Sequence, residues 1–416
     1  MMQFPLMFRI RQSLVKSPLA DPAETLDACL EAAGALEGLG GKRVALAVGS
    51  RSIDSIALLV TALIQRLRSA GANPFVVPAM GSHGGGTAEG QAAILAGLGI
   101  TPTSVGAPID LSAETVFLGT TPGGADAYTA RAALDSDGII VINRIAPHTG
   151  YSGRVQSGVV KMLAIGLGKV DGARALHQHG FSAGHLLGEV ADLVILKAPP
   201  VTAIALVEDG AKQLSSIDCL RGQNIRAAEP ALLARACAMW PAIPARRADL
   251  LIVEEMGKDI SGIGMDPLVT GRGKDFPPGE TPPFHADRLV VLRLTPASGG
   301  NATGIGHADI TTQALVDDYD RAVTYRNVLT SGALYRARIP VVAPDDRQAI
   351  EMALSSLGGV RPEEARVVRI SNTRALEELE VSEAVRPELE EREDVSVVSD
   401  ARELSFGRGG NLIQRL

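Results

Sequence analysis

Short, wholly apolar runs alternate along this chain with longer stretches whose apolar residues recur every three or four positions. Arg43–Val48 reads RVALAV and predicts a buried strand; Ile56–Leu67 has helical spacing and is closed by Gly71. Phe75–Val77 predicts a second strand, and Thr87–Leu98 a second helix that Thr87 can cap. Gly138–Ile142 (GIIVI) and Leu193–Leu196 (LVIL) predict further buried strands. Apolar strands separated by helices imply βαβ units and a parallel sheet. The pattern breaks over Pro241–Arg247 and resumes with a strand at Leu250–Val253. A second α/β set follows: strands at Leu289–Leu294, Pro340–Ala343 and Val367–Ile370, and a helix over Asp346–Leu357. The acidic stretch Glu377–Glu393 predicts a solvated helix and loop. The expected fold is therefore two α/β domains with largely parallel sheets, over 1–243 and 246–404, with the site in the interdomain cleft. The last residues, 405–416, are apolar enough to dock back on the first domain.

Bulk properties narrow the class. A length of 416 residues exceeds one ordinary core, and 46% hydrophobic with 21% charged residues is a globular mix. A formal charge of −7 argues against a nucleic-acid binder, and 3% aromatics leave little for base stacking. No run of eighteen apolar residues exists, so no membrane span is expected. The N-terminal MMQFPLMFRIRQSL is too broken by Arg and Gln for a secretory signal. Three scattered cysteines fit a reducing compartment, so the expected location is cytoplasmic. Nothing in the sequence sets an oligomeric state.

Candidate chemistry concentrates in a few glycine-punctuated segments. His83 lies in GSHGGGT (81–87), just past a strand, where Gly84 and Gly85 let the backbone approach a ligand. Arg51 holds the equivalent place after the first strand, in VGSRSID, and could grip a carboxylate or phosphate bidentately; an ordinary surface Arg beside a capping Asp54 reads equally well. The segment PHTGYSGRVQSGVVKMLAIGLGKVDGARALHQH (147–179) adds His148, Lys161, His177 and His179. Lys161 sits in the apolar context GVVKMLAIG, where burial would lower its pKa and make it a nucleophile or covalent anchor; a lysine that snorkels along apolar surface is the plainer alternative. Imidazoles at 177 and 179 could ligate a metal, although a lone pair of histidines is weak evidence for one. His185, His285 and His307 have no comparable company and read as structural.

In their order, Arg51 in GSRSID, GSH at 81–83, PHTGYSG at 147–153, Lys161 and His177 resemble the nickel-dependent lactate racemase family, over about residues 40–180. The sixteen-residue interval from Lys161 to His177 is the most specific part. The resemblance implies a nickel-pincer nucleotide, a pyridinium mononucleotide with two sulfur-bearing arms, tethered to Lys161 and with its nickel bound by His177. It implies His83 and His148 as acid/base residues, Arg51 on the substrate carboxylate, Gly84, Gly85 and Ser152 at the cofactor, and 1–243 as the cofactor-binding domain. The implied activity is racemisation or epimerisation of a small-molecule 2-hydroxy acid, with cofactor-synthesis enzymes as loading partners. The chain departs from the family: Val48 and Gly49 stand where an aspartate is expected before the arginine, and the connection from Gly153 to Lys161 is longer than usual. In EEMGKDISGIGMDPLVTGRG (254–273) the usual lysine motif is missing, and Lys258 is the candidate substitute as a substrate contact. These departures point to a branch with a substrate other than lactate. Two further readings stay open: a zinc-dependent lyase or hydrolase using His83, His148 and His177, and a non-catalytic nucleotide carrier.

Overall fold

The computed structural model describes residues 2–151, 153–180, 183–272 and 283–416. The chain divides into two compact units, Val15–Trp240 and Met1–Leu14 with Pro241–Leu416. Each is α/β with a largely parallel sheet.

The first unit has a five-stranded sheet in the order Asn73–Pro78, Arg43–Val48, Gly138–Arg144, Val201–Glu208, Leu214–Arg221. The first four strands are parallel and the last is antiparallel to its neighbour. The two-residue period of a strand sorts its side chains onto two faces. Val44, Leu46 and Val48 point into a core shared with the helices Pro22–Ala32 and Ile56–Ser69. Ala45 and Ala47 face the opposite core, built from the segment 159–167 and the helices His185–Lys197 and Asn224–Ala238. Small alanines on that face let the segment that carries Lys161 pack close to the sheet.

Leu193–Leu196 is not a strand. It is the last turn of the helix His185–Lys197, and the strand follows it at Val201–Glu208. Leu186, Leu187, Val190, Ala191 and Val194 are buried at helical spacing while Leu196 is 73% exposed. A short apolar run does not by itself separate strand from helix, and here the three-to-four periodicity of the flanking residues decides.

The second unit has eight strands in the order Val341–Ala343, Ile310–Thr312, His285–Leu294, Arg247–Met256, Val367–Ile370, Glu378–Ser382, Met7–Gln12, Val395–Val397. Two expectations fail in it. The acidic stretch is not simply solvated: it contains the strand Glu378–Ser382, where Glu380 is 1% exposed and paired with Arg369 at 2.7 Å. Pairing with a buried guanidinium, rather than with water, accounts for this acidic residue in a core strand. Residues 1–14 and 405–416 also belong to this unit. Met7–Gln12 pairs with Glu378–Ser382, Phe406 packs on Phe4, and the Leu412 amide donates to Asp346. The tail thus docks on its own unit, and the first unit begins at Val15 rather than Met1. No described helix is long and apolar enough to cross a membrane.

Candidate active site

Three parallel strands of the first unit end at one edge, and the loops that follow them carry the candidate residues. Arg43–Val48 leads into Ser50 and Arg51, Asn73–Pro78 into His83, and Gly138–Arg144 into His148. The sheet order puts the Arg51 strand between the other two. The chain leaves the central strand toward one side and later adds a neighbour on the other; at such a reversal an open α/β sheet leaves a crevice. Lys161 comes from a helical stretch, Val159–Lys161, that continues through a π-helical turn over Met162–Gly166. The next helix, Lys169–His177, supplies His177 in its last turn. π-turns inside helices are frequent at functional sites.

These elements converge. Arg51, His83, Lys161 and His177 line one cavity together with Ser50 and Asn143, and its volume is about 100 Å³. Ligand pockets run to roughly 300–1,000 Å³, so a nucleotide would extend beyond this space. His148 is joined to the group through Lys161, whose Nζ lies 2.7 Å from His148 Nε2.

The hydrogen bonds assign the tautomer of His148. His148 Nδ1 accepts the Gly150 and Tyr151 amides at 3.0 and 2.9 Å. An imidazole that accepts at Nδ1 carries its proton at Nε2, so the contact with Lys161 is an Nε2–H donated to an amine lone pair. That contact is open to the amine only in its neutral form. Burial, aided by the nearby Arg51 guanidinium, pulls Lys161 down to about 7. Burial and Lys161 pull His177 down to about 4, which leaves a neutral imidazole with a lone pair for a metal. Arg51 keeps solvent access, yet crowding by protein atoms and by Arg144 lowers its pKa. Arg144 is already paired with Glu208, whereas Arg51 has no carboxylate partner among the described residues. Ser50 Oγ lies 2.5 Å from His83 Nδ1 and orients that ring.

Gly84 and Gly85 behave differently from each other. Gly84 has φ +66°, and a β-carbon there would lie 2.6 Å from the Gly90 carbonyl carbon. The close approach expected at Gly84 is thus made to the protein's own helix, Ala88–Gly97. Gly85 has φ +70° and faces open space. Gly84→Ala should cost roughly 1–3 kcal/mol, visible as a lower midpoint in denaturant unfolding, because strain in φ and a backbone clash act together. Ser152 lies outside the described residues. Lys258 belongs to the other compact unit, where its ammonium is held by the Gly262 carbonyl and by Asn327 Oδ1 at 2.8 Å.

Sequence reasoning missed Ser50, Asn143 and Ser157 at the cavity. Ser50 adjoins Arg51, so strand-end placement could have found it; Asn143 reads as one more residue of an apolar strand. Among the described residues no group of three or more His, Cys, Asp or Glu side chains is placed to hold a metal. A zinc site of His83, His148 and His177 therefore has no support. One neutral imidazole beside a buried amine instead suits a metal whose other ligands come from an organic group attached nearby.

Residues 16–185 match the family model for the lactate racemase N-terminal domain. Over that stretch the chain is similar to the lactate racemase family. That stretch includes every residue of the cavity. No curated protein matches the chain in sequence. In fold, the chain is similar to a structural-genomics crystal structure from Thermotoga maritima, with a TM-score of 0.55 at 15% identity over 88% of this chain and 99% of that one. It is similar also to the lactate racemase apoprotein of Thermoanaerobacterium thermosaccharolyticum, with a TM-score of 0.55 at 13% identity over 90% and 94%. Both likenesses therefore extend beyond the lactate racemase-type domain.

Proposed function

We propose that this chain is a racemase or epimerase of a 2-hydroxy acid, dependent on a nickel-pincer nucleotide tethered at Lys161. The observation that carries the reading is the convergence of an arginine with no carboxylate partner among the described residues, two histidines from flanking strands, a buried lysine amine of lowered pKa and a neutral imidazole in a stretch that matches the lactate racemase N-terminal domain. Lys161 would hold the nucleotide and His177 its nickel. When bound, that group supplies an electrophilic centre for reversible hydride transfer.

The side chains of the protein then have defined tasks. Arg51 grips the substrate carboxylate through its guanidinium fork. A carboxylate already next to C2 makes loss of the C2 hydrogen as a proton costly, since a second negative charge would develop beside the first. Departure of that hydrogen as hydride avoids the charge, provided the hydroxyl proton leaves as well. His83 or His148 takes that proton, and imidazole is suited to it because its ordinary pKa is near 6.5. His83 and His148 follow strands on opposite sides of the Arg51 strand, so each can serve one hand of the substrate. Conversion of the Lys161 amine to an amide-like linkage would delocalise the lone pair that His148 Nε2–H now meets, and would free that ring for the substrate.

Arg51→Ala should lower kcat/KM by about 10–150-fold, mostly through KM, the worth of a charge-assisted contact of about 1.5–3 kcal/mol. Arg51→Lys should recover part of the loss, as steady-state kinetics on either enantiomer would show. The function itself is tested by loading the chain through co-expression with the cofactor-making enzymes, then screening enantiopure 2-hydroxy acids in deuterated solvent. Loss of optical purity without deuterium at C2 is the expected outcome. Extensive deuterium at C2 would mean proton abstraction and would overturn the hydride reading.

A further inference from the structure

A buried carboxyl group with no part in these steps touches the backbone immediately before Lys161. Glu229 lies on the helix Asn224–Ala238 and is 0% exposed. Its Oε2 accepts the Val160 amide at 2.8 Å, and the Val159 amide also bonds the carboxyl. Its Oε1 has no hydrogen-bond partner among the described residues. Burial raises its pKa to about 7 against the opposing pull of the two amides.

The sequence makes room for this contact. The helical stretch bearing Lys161 starts at Gly158, which offers no capping side chain. The first amides of a helix need an acceptor, usually a Ser, Thr, Asp or Asn at the cap. Here it arrives from another helix. A β-carbon on Gly158 would lie 2.3 Å from Glu229 Oε1, so only glycine admits the carboxyl. On the same residue, the Gly158 carbonyl accepts Asn143 Nδ2 at 3.1 Å. The entry to the Lys161 turn is thus held from the cavity side and from behind. A buried carboxyl is a costly way to cap one short turn, which argues that the placement of the turn matters.

We propose that Glu229 is a positioning residue for Lys161: by holding the amides of residues 159 and 160 it fixes the turn from which the lysine side chain reaches His148. The inference rests on Lys161 as the attachment point, but its test needs no cofactor. The full-length chain, made without the cofactor pathway, is compared as wild type, Glu229→Ala, Glu229→Gln and Gly158→Ala. Amide hydrogen exchange is read over residues 157–163, and the pH midpoint for reductive methylation is read for Lys161, exposed Lys42 and buried Lys169 by peptide mass spectrometry.

In Glu229→Ala the local amides should exchange at least ~10-fold faster, and the Lys161 midpoint should move from near 7 toward the ~10.4 of a solvated lysine. Glu229→Gln keeps a carbonyl acceptor and should return the exchange to within about three-fold of wild type. Gly158→Ala displaces the carboxyl while leaving Glu229 in place, and decides the matter should Glu229→Ala not fold. A folded Glu229→Ala or Gly158→Ala with an unmoved Lys161 midpoint would overturn the proposal. So would equal shifts at Lys161 and Lys169, which mark general loosening. If wild type co-expressed with the cofactor enzymes gains no adduct while the Lys161 midpoint still shifts, the proposed function fails and the positioning role stands.

Discussion

Lys161→Ala should remove the covalent adduct entirely and cut racemisation by at least ~10⁴-fold, the scale on which loss of a covalent catalytic group acts. Lys161→Arg should fail as completely. It keeps a long basic side chain, but a guanidinium does not deprotonate and cannot be acylated under these conditions. Lys161→Met is the matched control for folding, because it keeps the buried stem without an amine. It should leave the thermal midpoint within a few degrees of wild type while abolishing attachment. The wild-type amine has a distinctive pH response. With a pKa of about 7, half of it is neutral at pH 7, against about 0.04% of a solvated lysine. Acylation of Lys161 by a small activated ester should therefore rise through pH 7 and level off above about pH 8, where an exposed lysine is still far from its own maximum. A Lys161 profile that keeps climbing to pH 10 would show a solvated ammonium and contradict the His148 Nε2–H to amine contact.

The second large effect concerns the histidine pair. His83→Ala and His148→Ala should each lower racemisation by about 10²–10⁴-fold. The equilibrium constant of a racemisation is one, so each variant must lose kcat/KM equally in both directions. The asymmetry lies in the half-reaction. Each variant should still release the 2-keto acid from the enantiomer served by the remaining histidine, and not from the other, in a single-turnover burst. The two variants should have opposite preferences, as their origin from opposite sides of the Arg51 strand requires. Equal loss of both half-reactions in both variants would mean that the imidazoles do not divide the two hands between them.

Much of this site is legible in the sequence for a specific reason. Residues directly after buried parallel strands have their position set by the strand, so the placement of Arg51, His83 and His148 at strand ends follows from the runs Arg43–Val48, Phe75–Val77 and Gly138–Ile142, while their roles come from the family resemblance. Lys161 is marked by its apolar neighbours, and its burial is what lowers the pKa of the amine. His177 needed the family resemblance, because a histidine in the last turn of a helix has no spacing signal of its own. Glu229 was out of reach: its contact with Val160 spans 69 residues, and nothing local in NIRAAEPALL marks an acidic residue that will be buried against another helix. The strand errors have two origins. LVIL is apolar whichever element it joins, and Glu380 is acidic whether it meets water or Arg369. For LVIL the helical spacing of the flanking residues decides, whereas for Glu380 the decision is made by a tertiary partner that local pattern does not encode. Gly84 shows the converse. The glycine was recognised, but the close approach it serves is to the following helix.

The claim on which the rest depends is that the amine of Lys161 and the imidazole of His177 hold one metal-bearing nucleotide between them. Its most direct test is peptide mapping by mass spectrometry of the wild-type chain after co-expression with the cofactor-making enzymes, with nickel counted on the same sample. The expected result is a nucleotide-sized mass addition confined to the peptide with Lys161 and close to one nickel per chain, with the nickel lost in His177→Ala while the organic adduct remains. An unmodified Lys161 peptide from a preparation in which a known lactate racemase becomes fully loaded would contradict it.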